Sequence, residues 1–180
     1  MKKAIVIGPS GAGKSEFSRR LSALTGSTVY HLDNIYWNED KTHVPRDEFD
    51  RRLNALLSLN EWIIDGDYSR TYEPRFSACD TVFFLDYPIE TCLDGVRSRL
   101  KKPRNDIPWV EEEIDEDFML WIENWKKDVY PKTREMLEKY SDEKNIVVFS
   151  SREQADAYLG SLKKKSKSRS GADISEEIIT

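Results

Sequence analysis

The apolar positions of this chain fall into five short runs, separated by stretches in which they recur every three or four residues. The runs cover residues 4–7, 27–32, 61–64, 81–85 and 145–149 and are rich in β-branched and aromatic side chains, as buried strands are. The stretches between them have the spacing of amphipathic helices. The pattern therefore predicts five strands that alternate with helices.

A glycine-rich segment lies between the first predicted strand and the first predicted helix. It reads GPSGAGKS over residues 8–15 and satisfies the phosphate-binding pattern G-x-x-x-x-G-K-[ST] at every fixed position. The candidate nucleotide-binding residues are Gly8, Pro9, Ser10, Gly11, Ala12, Gly13, Lys14 and Ser15. A turn that merely caps a helix is the alternative, but it would require the four fixed positions, the strand and the helix to coincide by accident.

The residue types in this segment suit phosphate chemistry. Glycines let successive backbone N–H groups turn inward around phosphate oxygens at a helix N-terminus. Lys14 is expected to reach the β- and γ-phosphates, and the Ser15 hydroxyl to ligate Mg²⁺. The segment thus predicts binding of ATP with Mg²⁺.

Acidic residues follow the second and third predicted strands. In open α/β sheets ligands collect at the carboxyl ends of strands, so Asp33 is expected near a substrate or the metal's water shell, unless it simply opens a surface turn. Asp65 directly follows an apolar strand and is typical of a Walker B aspartate that assists the metal. Arg70, on a short predicted helix, is favoured as a phosphate contact, while the role of Arg75 stays open.

A basic stretch ends the helix after the fourth predicted strand. It holds five cations within residues 97–104 and is interrupted by a proline. A solvated turn would account for it, but in a domain with a nucleotide site it predicts a short mobile lid, about residues 97–110, whose Arg97 and Arg104 cover the transferring phosphate. The acidic run at 111–117 is explained by solvation or by attraction to this lid.

Aromatic residues are concentrated just after the second predicted strand. Tyr36 and Trp37 precede a helical stretch that contains Phe49. They suit a wall on which a base stacks and equally suit ordinary core packing, and the sequence does not choose between the two.

Composition limits the possible architecture and location. With 180 residues, 38% hydrophobic and 34% charged, the chain is expected to form one globular domain, over residues 1–162. Residues 163–180 are basic and of low complexity, which predicts a mobile tail that aids solubility or, less simply, touches nucleic acid. No apolar run has the length of a membrane span, and the first strand starts almost at once, so a cytoplasmic protein is expected.

The net charge argues against general binding to nucleic acid or to an anionic membrane, and the cysteine spacing argues against a zinc site. The formal net charge of −5 gives no general attraction to nucleic acid or to an anionic membrane. Cys79 and Cys92 lie thirteen positions apart without a zinc-ligand pattern, so they are expected to be small buried hydrophobic residues.

Four segments together carry a family resemblance: GPSGAGKS, HLDNIYW, WIIDGDYSRTYEPRF and DTVFFLDYP. Over residues 3–162 the chain resembles the P-loop kinase relatives of adenylate kinase, most closely the bacterial group of DNA topology modulation proteins. The resemblance implies a three-layer α/β/α P-loop NTPase fold with a five-stranded parallel sheet. It also implies that the Asp65 strand lies beside the phosphate-loop strand and that a short kinase-like lid follows the fourth strand.

The resemblance also implies roles for single residues. Lys14 and Ser15 match the family's phosphate and Mg²⁺ contacts, and Asp65 matches its Walker B acid. Arg70 matches the arginine that meets acceptor phosphate in adenylate kinases, and lid arginines are matched by two further residues, Arg97 and Arg104. The chain differs from true adenylate kinases in that it has no T-G-D acceptor motif before Asp65, a short lid and no zinc cysteines.

These features predict a small kinase that transfers the γ-phosphoryl group of ATP to a nucleotide or other small acceptor. Asp33 would orient or deprotonate an acceptor hydroxyl, or Arg70 would hold an acceptor phosphate. The alternative is a regulatory protein, associated with nucleic acid, that binds and slowly hydrolyses ATP. The sequence indicates neither the acceptor nor the oligomeric state.

Overall fold

The computed structural model describes the backbone of residues 1–172 and the side chains through residue 163. The strands are β1 (Lys3–Ile7), β2 (Val29–His31), β3 (Trp62–Asp65), β4 (Thr81–Leu85) and β5 (Asn145–Phe149). The helices are α1 (Lys14–Thr25), α2 (Leu32–Tyr36), α3 (Arg46–Leu57), α4 (Tyr72–Ala78), α5 (Ile89–Arg99), α6 (Glu116–Asp128), α7 (Tyr130–Lys139) and α8 (Arg152–Ala172). A 3₁₀ turn, Ser69–Thr71, precedes α4.

The five strands form one parallel sheet in the order β2-β3-β1-β4-β5. The predicted neighbourhood of β1 and β3 is confirmed, with Val6 opposite Asp65, and Asp65 in turn lies opposite His31 of β2. Because all strands run the same way, their carboxyl ends share one edge of the sheet, where ligands of such folds bind. This edge carries the phosphate loop and Asp65.

Helices cover both faces of the sheet, as the predicted three-layer fold requires. Along β1, Ala4 and Val6 pack into one core with residues of α1, α5 and α8, whereas Ile5 and Ile7 pack into a second core with residues of α3, α4 and α7. Helix α6 contributes to both cores. Alternate residues of a strand point to opposite faces, which explains why the strands are apolar throughout.

The structure shifts several predicted boundaries. Asp65 is the last residue of β3 and not the residue after the strand. Strand β2 ends at His31, so Asp33 lies in the first turn of the short helix α2 rather than at the strand end itself. Helix α5 continues through Arg99, so Arg97 is helical and the open part of the predicted lid begins at residue 100 and extends to α6. We call this connection, residues 100–115, the lid segment.

The C-terminal end of the described chain is helical. Helix α8 extends to Ala172, nine residues beyond the predicted start of the tail at 163, and residues 173–180 lie outside the described part of the chain. The expected mobility of the tail stays a prediction. None of the helices within the described residues has both the length and the apolar character needed to cross a bilayer.

Candidate active site

The phosphate loop has a backbone that only glycine accommodates at its closest contacts. Gly8, Gly11 and Gly13 have φ angles of 136°, 82° and 91°, in the left-handed region that side chains disfavour. A Cβ atom on Gly11 would lie 1.9 Å from the carbonyl oxygen of Cys92 in α5. The loop is thus held tightly against α5, and α1 begins directly after it at Lys14.

Lys14 lies over this loop. Its Nζ donates to the carbonyl oxygens of Gly8 at 2.9 Å and Pro9 at 3.0 Å. These bonds hold the ammonium group beside the loop, at the positive end of α1, where an anion is stabilised by both the charge and the helix dipole.

Asp65 is buried beneath the loop and paired with a histidine. Both of its carboxylate oxygens lie 2.9 Å from Nδ1 of His31. Burial on its own lowers the pKa of His31, but the hydrogen bond that its ring donates to Asp65 and the negative charges of Asp65, Asp106 and Asp33 outweigh it, and the pKa is raised. Three carboxylates therefore face this corner of the sheet edge.

The lid segment supplies a contact that sequence reasoning missed. The Ser15 hydroxyl donates to Oδ2 of Asp106 at 2.6 Å, and Arg104 donates to both oxygens of Asp106, at 2.9 and 2.7 Å. Burial opposes ionisation of Asp106, yet the hydrogen bonds from Arg104 and Ser15 prevail and lower its pKa to about 2. Asp106 thereby ties the lid segment to the residue predicted to ligate Mg²⁺.

Glu111 forms ion pairs with two arginines, Arg99 and Arg104. It lies 2.8 Å from Nε of Arg99 and 2.9 Å from Nη1 of Arg104. Arg97, predicted as a lid arginine, instead pairs with Asp94 on its own helix at 3.0 Å, is about half exposed and lines neither of the cavities described below. Arg99 lines both cavities instead, and the sequence contained a signal for its position.

That signal is the helical spacing of α5. Arg99 follows the buried residues Cys92 and Val96 at intervals of seven and three, which places all three on one face of the helix. Arg97 does not share this spacing.

A cavity of about 570 Å³ surrounds the phosphate loop. It runs from Lys14 and Asp65 to Arg152 and Asp156 of α8 and is closed on the lid side by Arg99 and Arg104. Its size, its inward-turned glycine backbone and its basic residues fit a nucleoside triphosphate.

A metal ion would need ligands from outside the protein in this cavity. Within residues 1–172 no group of three or more His, Cys, Asp or Glu side chains is arranged to hold an ion by itself. Mg²⁺ is usually held by one or two protein ligands together with substrate phosphates and water. The oxygens of Ser15 and Asp65 at the base of the cavity are compatible with that arrangement.

A second cavity, of about 1070 Å³, opens on the other side of Lys14 and Asp33, which line both cavities. We call it the acceptor cavity, after the role proposed for it below. Aromatic residues form much of its lining, and they are Tyr36, Trp37, Phe49, Tyr68, Trp109, Phe118 and Trp121. The sequence left open whether Tyr36 and Trp37 form a wall for a base or ordinary core packing. Both side chains line this cavity, and both also pack against neighbouring rings.

Asp33 lies at the boundary between the cavities. Oδ1 accepts a hydrogen bond of 2.7 Å from the hydroxyl of Tyr68. Burial raises the pKa of Asp33 and exceeds the opposing effects of the Tyr68 hydrogen bond and the Lys14 charge. A carboxylate of raised pKa is a stronger base than an ordinary aspartate, and the catalytic role of Asp33 stays a prediction.

The two arginines of the segment after β3 have different surroundings. Arg70 lines the acceptor cavity and is held by Asp50 through two bonds, at 3.0 and 2.5 Å. Arg75 is fully buried and donates to the carbonyl oxygens of Gly66, Asp67, Tyr68 and Thr71. Arg75 therefore holds the shape of the loop that follows Asp65 and has no phosphate-binding role in this structure.

Comparisons with solved structures show the fold. Shikimate kinase from Acinetobacter baumannii, solved in complex with shikimate, is similar with a TM-score of 0.54 and 19% identity over 99% of this chain and 96% of that chain. Shikimate kinase from Bacteroides thetaiotaomicron has a TM-score of 0.56 and 14% identity over 91% and 97%. A deoxyadenosine kinase from M. mycoides, solved with the products dCMP and dCDP, has a TM-score of 0.49 and 14% identity over 94% and 99%.

The chain has the fold of P-loop kinases. No family profile and no curated protein sequence matches it. The narrower resemblance to DNA topology modulation proteins stays a prediction.

Proposed function

We propose that this protein is an ATP-dependent phosphotransferase that moves the γ-phosphoryl group of ATP to a hydroxyl group of a small acceptor. The observation that carries the proposal is that Lys14 and Asp33 line both cavities, one built for phosphates and the other lined with aromatic rings. A donor and an acceptor bound in these cavities would meet between a cation and a carboxylate.

The residues at this meeting point divide the work of the transfer. Asp33 takes the proton of the acceptor hydroxyl, and the oxygen of that hydroxyl bonds to the γ-phosphorus. The bond from the γ-phosphorus to the bridging oxygen breaks, and ADP leaves. Lys14, Arg99 and Arg104 stabilise the negative charge on the transferring group. Mg²⁺, held through Ser15 and Asp65, would neutralise charge on the phosphate oxygens.

The fold and the cavities support this proposal in different ways. P-loop kinases catalyse by positioning reactants and neutralising charge, so the chemistry requires no covalent nucleophile. The transfer step requires a donor site and an acceptor site in contact, and the phosphate loop and the acceptor cavity provide both.

The direct test uses γ-labelled ATP, Mg²⁺ and a panel of nucleosides, nucleoside monophosphates and small alcohols. We expect label to appear on a panel member, and we expect Lys14→Ala to abolish transfer. Lys139→Ala, a change on the exposed side of α7 where Lys139 pairs with Glu73, is the matched control and should transfer at the wild-type rate.

Slow hydrolysis without transfer to any acceptor, at a rate that DNA changes, would contradict the kinase proposal. It would instead support the alternative of a nucleic-acid-associated ATPase.

A further inference from the structure

Aromatic faces from two parts of the chain line the acceptor cavity. Trp37, at the end of α2, meets Trp109 of the lid segment edge to face, with ring centroids 5.6 Å apart. Phe118 and Trp121 of α6 stack at 5.9 Å, and the Trp121 side chain is 41% exposed. Exposed aromatic surface of this extent around a concave site indicates a planar apolar ligand.

The charges around the cavity disfavour an acceptor that already carries phosphate. Arg70 is paired with Asp50. Arg99 and Arg104 are paired with Glu111 and are assigned above to the transferring phosphoryl group, so they are not additional cations for an acceptor phosphate. Lys14 serves the phosphate loop, and Lys41 lies exposed at the edge.

Acidic residues add to this effect. Glu112, Glu113 and Asp115 are exposed at the cavity and belong to the acidic run predicted from the sequence. A phosphate dianion would have to displace a carboxylate from its arginine and face this run, which is electrostatically unfavourable. An uncharged acceptor avoids both costs.

The position of Asp33 defines the group that must be phosphorylated. Tyr68 bonds Oδ1 of Asp33, and within the described residues no protein hydrogen bond is made to Oδ2. Asp33 lines both cavities, so this carboxylate oxygen has the capacity to accept a hydrogen bond from an alcohol bound there.

Resting on the proposed kinase function, we propose that the acceptor cavity binds a nucleoside. The base stacks on the ring of Trp37, and a sugar hydroxyl is directed to Asp33. The product is a nucleoside monophosphate, formed with ADP and with the proton transferred to Asp33. A nucleoside combines the three required features: a planar ring, an alcohol and no charge.

Isothermal titration of the full chain, saturated with a non-hydrolysable Mg²⁺–ATP analogue, tests the proposal. The ligands are adenosine, guanosine, cytidine and thymidine, their 5′-monophosphates, and shikimate as a non-aromatic alcohol. We expect at least one nucleoside to bind with a dissociation constant at least ten-fold below those of its own monophosphate and of shikimate. Tighter binding of the monophosphate or of shikimate would overturn the proposal, as would the absence of saturable nucleoside binding.

Variants of Trp37 separate stacking from a merely structural role. Trp37→Leu should weaken nucleoside binding at least five-fold, whereas Trp37→Phe keeps an aromatic ring and should stay within three-fold of wild type. Both should bind the ATP analogue as wild type does. Equal nucleoside affinity in the Leu and Phe variants would contradict stacking.

Failure of this inference can be distinguished from failure of the proposed function. Transfer of label from ATP to a monophosphate or to shikimate, with none to a nucleoside, overturns the nucleoside proposal and leaves the kinase proposal standing. Absence of ATP-analogue binding removes the kinase proposal itself.

Discussion

Two arginines of α5, two positions apart, have contrasting environments. Successive residues of an α-helix are rotated by about 100°, so Arg97 and Arg99 point to nearly opposite sides. Arg99 lines both cavities and pairs with Glu111, whereas Arg97 pairs with Asp94 on the surface. Alanine variants of these two arginines are matched controls for each other, because each substitution removes the same charge from the same helix.

We expect Arg99→Ala to lower kcat for phosphoryl transfer by at least ~10-fold, because it removes a cation from the developing charge. Arg97→Ala should stay within about two-fold of wild type, because that side chain lies outside both cavities. Steady-state kinetics of both variants with the acceptor from the panel measures the difference. Equal losses in the two variants would contradict the assignment of Arg99.

The pH dependence of catalysis tests Asp33. A general base acts when deprotonated, and burial raises the pKa of Asp33. We therefore expect kcat/KM to rise with pH along an acid limb that lies above the range of an ordinary aspartate. Asp33→Asn should lower kcat by at least ~100-fold and remove that limb.

Asp94→Asn, at an exposed carboxylate of α5, is the control for this experiment and should keep both the rate and the limb. An unchanged acid limb in Asp33→Asn would show that another group acts as the base.

Some residues of the candidate site could be predicted from the sequence and others could not. The phosphate loop, Asp33 and Asp65 were predicted because each is defined by its own segment, a motif or a strand end. Asp106 was not predicted, because its partner Ser15 is 91 residues away and only the folded lid segment brings them together. Arg75 could be assigned only once its carbonyl partners were known.

At the scale of elements, the carboxylate of Asp106 connects the lid segment to the phosphate loop. Asp106 joins Arg104 of the lid segment to Ser15 at the start of α1, and its pKa is about 2. A carboxyl group whose pKa is lower in the folded than in the unfolded state stabilises the fold above its unfolded pKa. That stabilisation is lost as the pH falls through the folded pKa.

We expect Asp106→Asn to reduce the free energy of unfolding at pH 7 by about 2 kcal/mol, from the size of the pKa shift. The difference from wild type should shrink as the pH is lowered from about 4 toward about 2. Urea unfolding at a series of pH values measures it, with Asp142→Asn, at an exposed position, as the control. A deficit that does not depend on pH would contradict the role of the Asp106 charge.

The elements themselves were largely predictable, for a physical reason. Strands buried on both faces are continuous apolar runs, and β4, which is buried at every position, matches its predicted run at both ends. The edge strand β5 also matches its predicted run at both ends, although only Phe149 is fully buried in it. The end of β2 was missed because Leu32 is fully buried, as it would be in a strand, although it begins α2. The lid segment contains no helix or strand, so its ion pairs could not be inferred from periodicity.

At the scale of the whole molecule, the predicted three-layer fold is confirmed and the two cavities lie at the sheet edge that it defines. Within residues 1–163, whose side chains the structure describes, both cavities are lined by residues no later than Asp156. The residues of α8 that are buried in the core are Ala155 and Leu159, and both precede residue 163.

Deletion of residues 163–180 should therefore leave the turnover of ATP within about two-fold of the full chain. A coupled assay of ADP formation on both proteins, with and without DNA, checks this expectation. A loss of turnover above five-fold, or a response to DNA that disappears with the deletion, would assign the segment a role in the reaction.

Binding of Mg²⁺–ATP to the phosphate loop is the claim on which every other role depends, and calorimetric titration of the full chain measures it most directly. We expect one saturable site with a dissociation constant in the range of about 1 μM to 1 mM, and loss of that binding in Lys14→Ala. No saturable heat at millimolar Mg²⁺–ATP, or equal affinity in Lys14→Ala, would contradict the account.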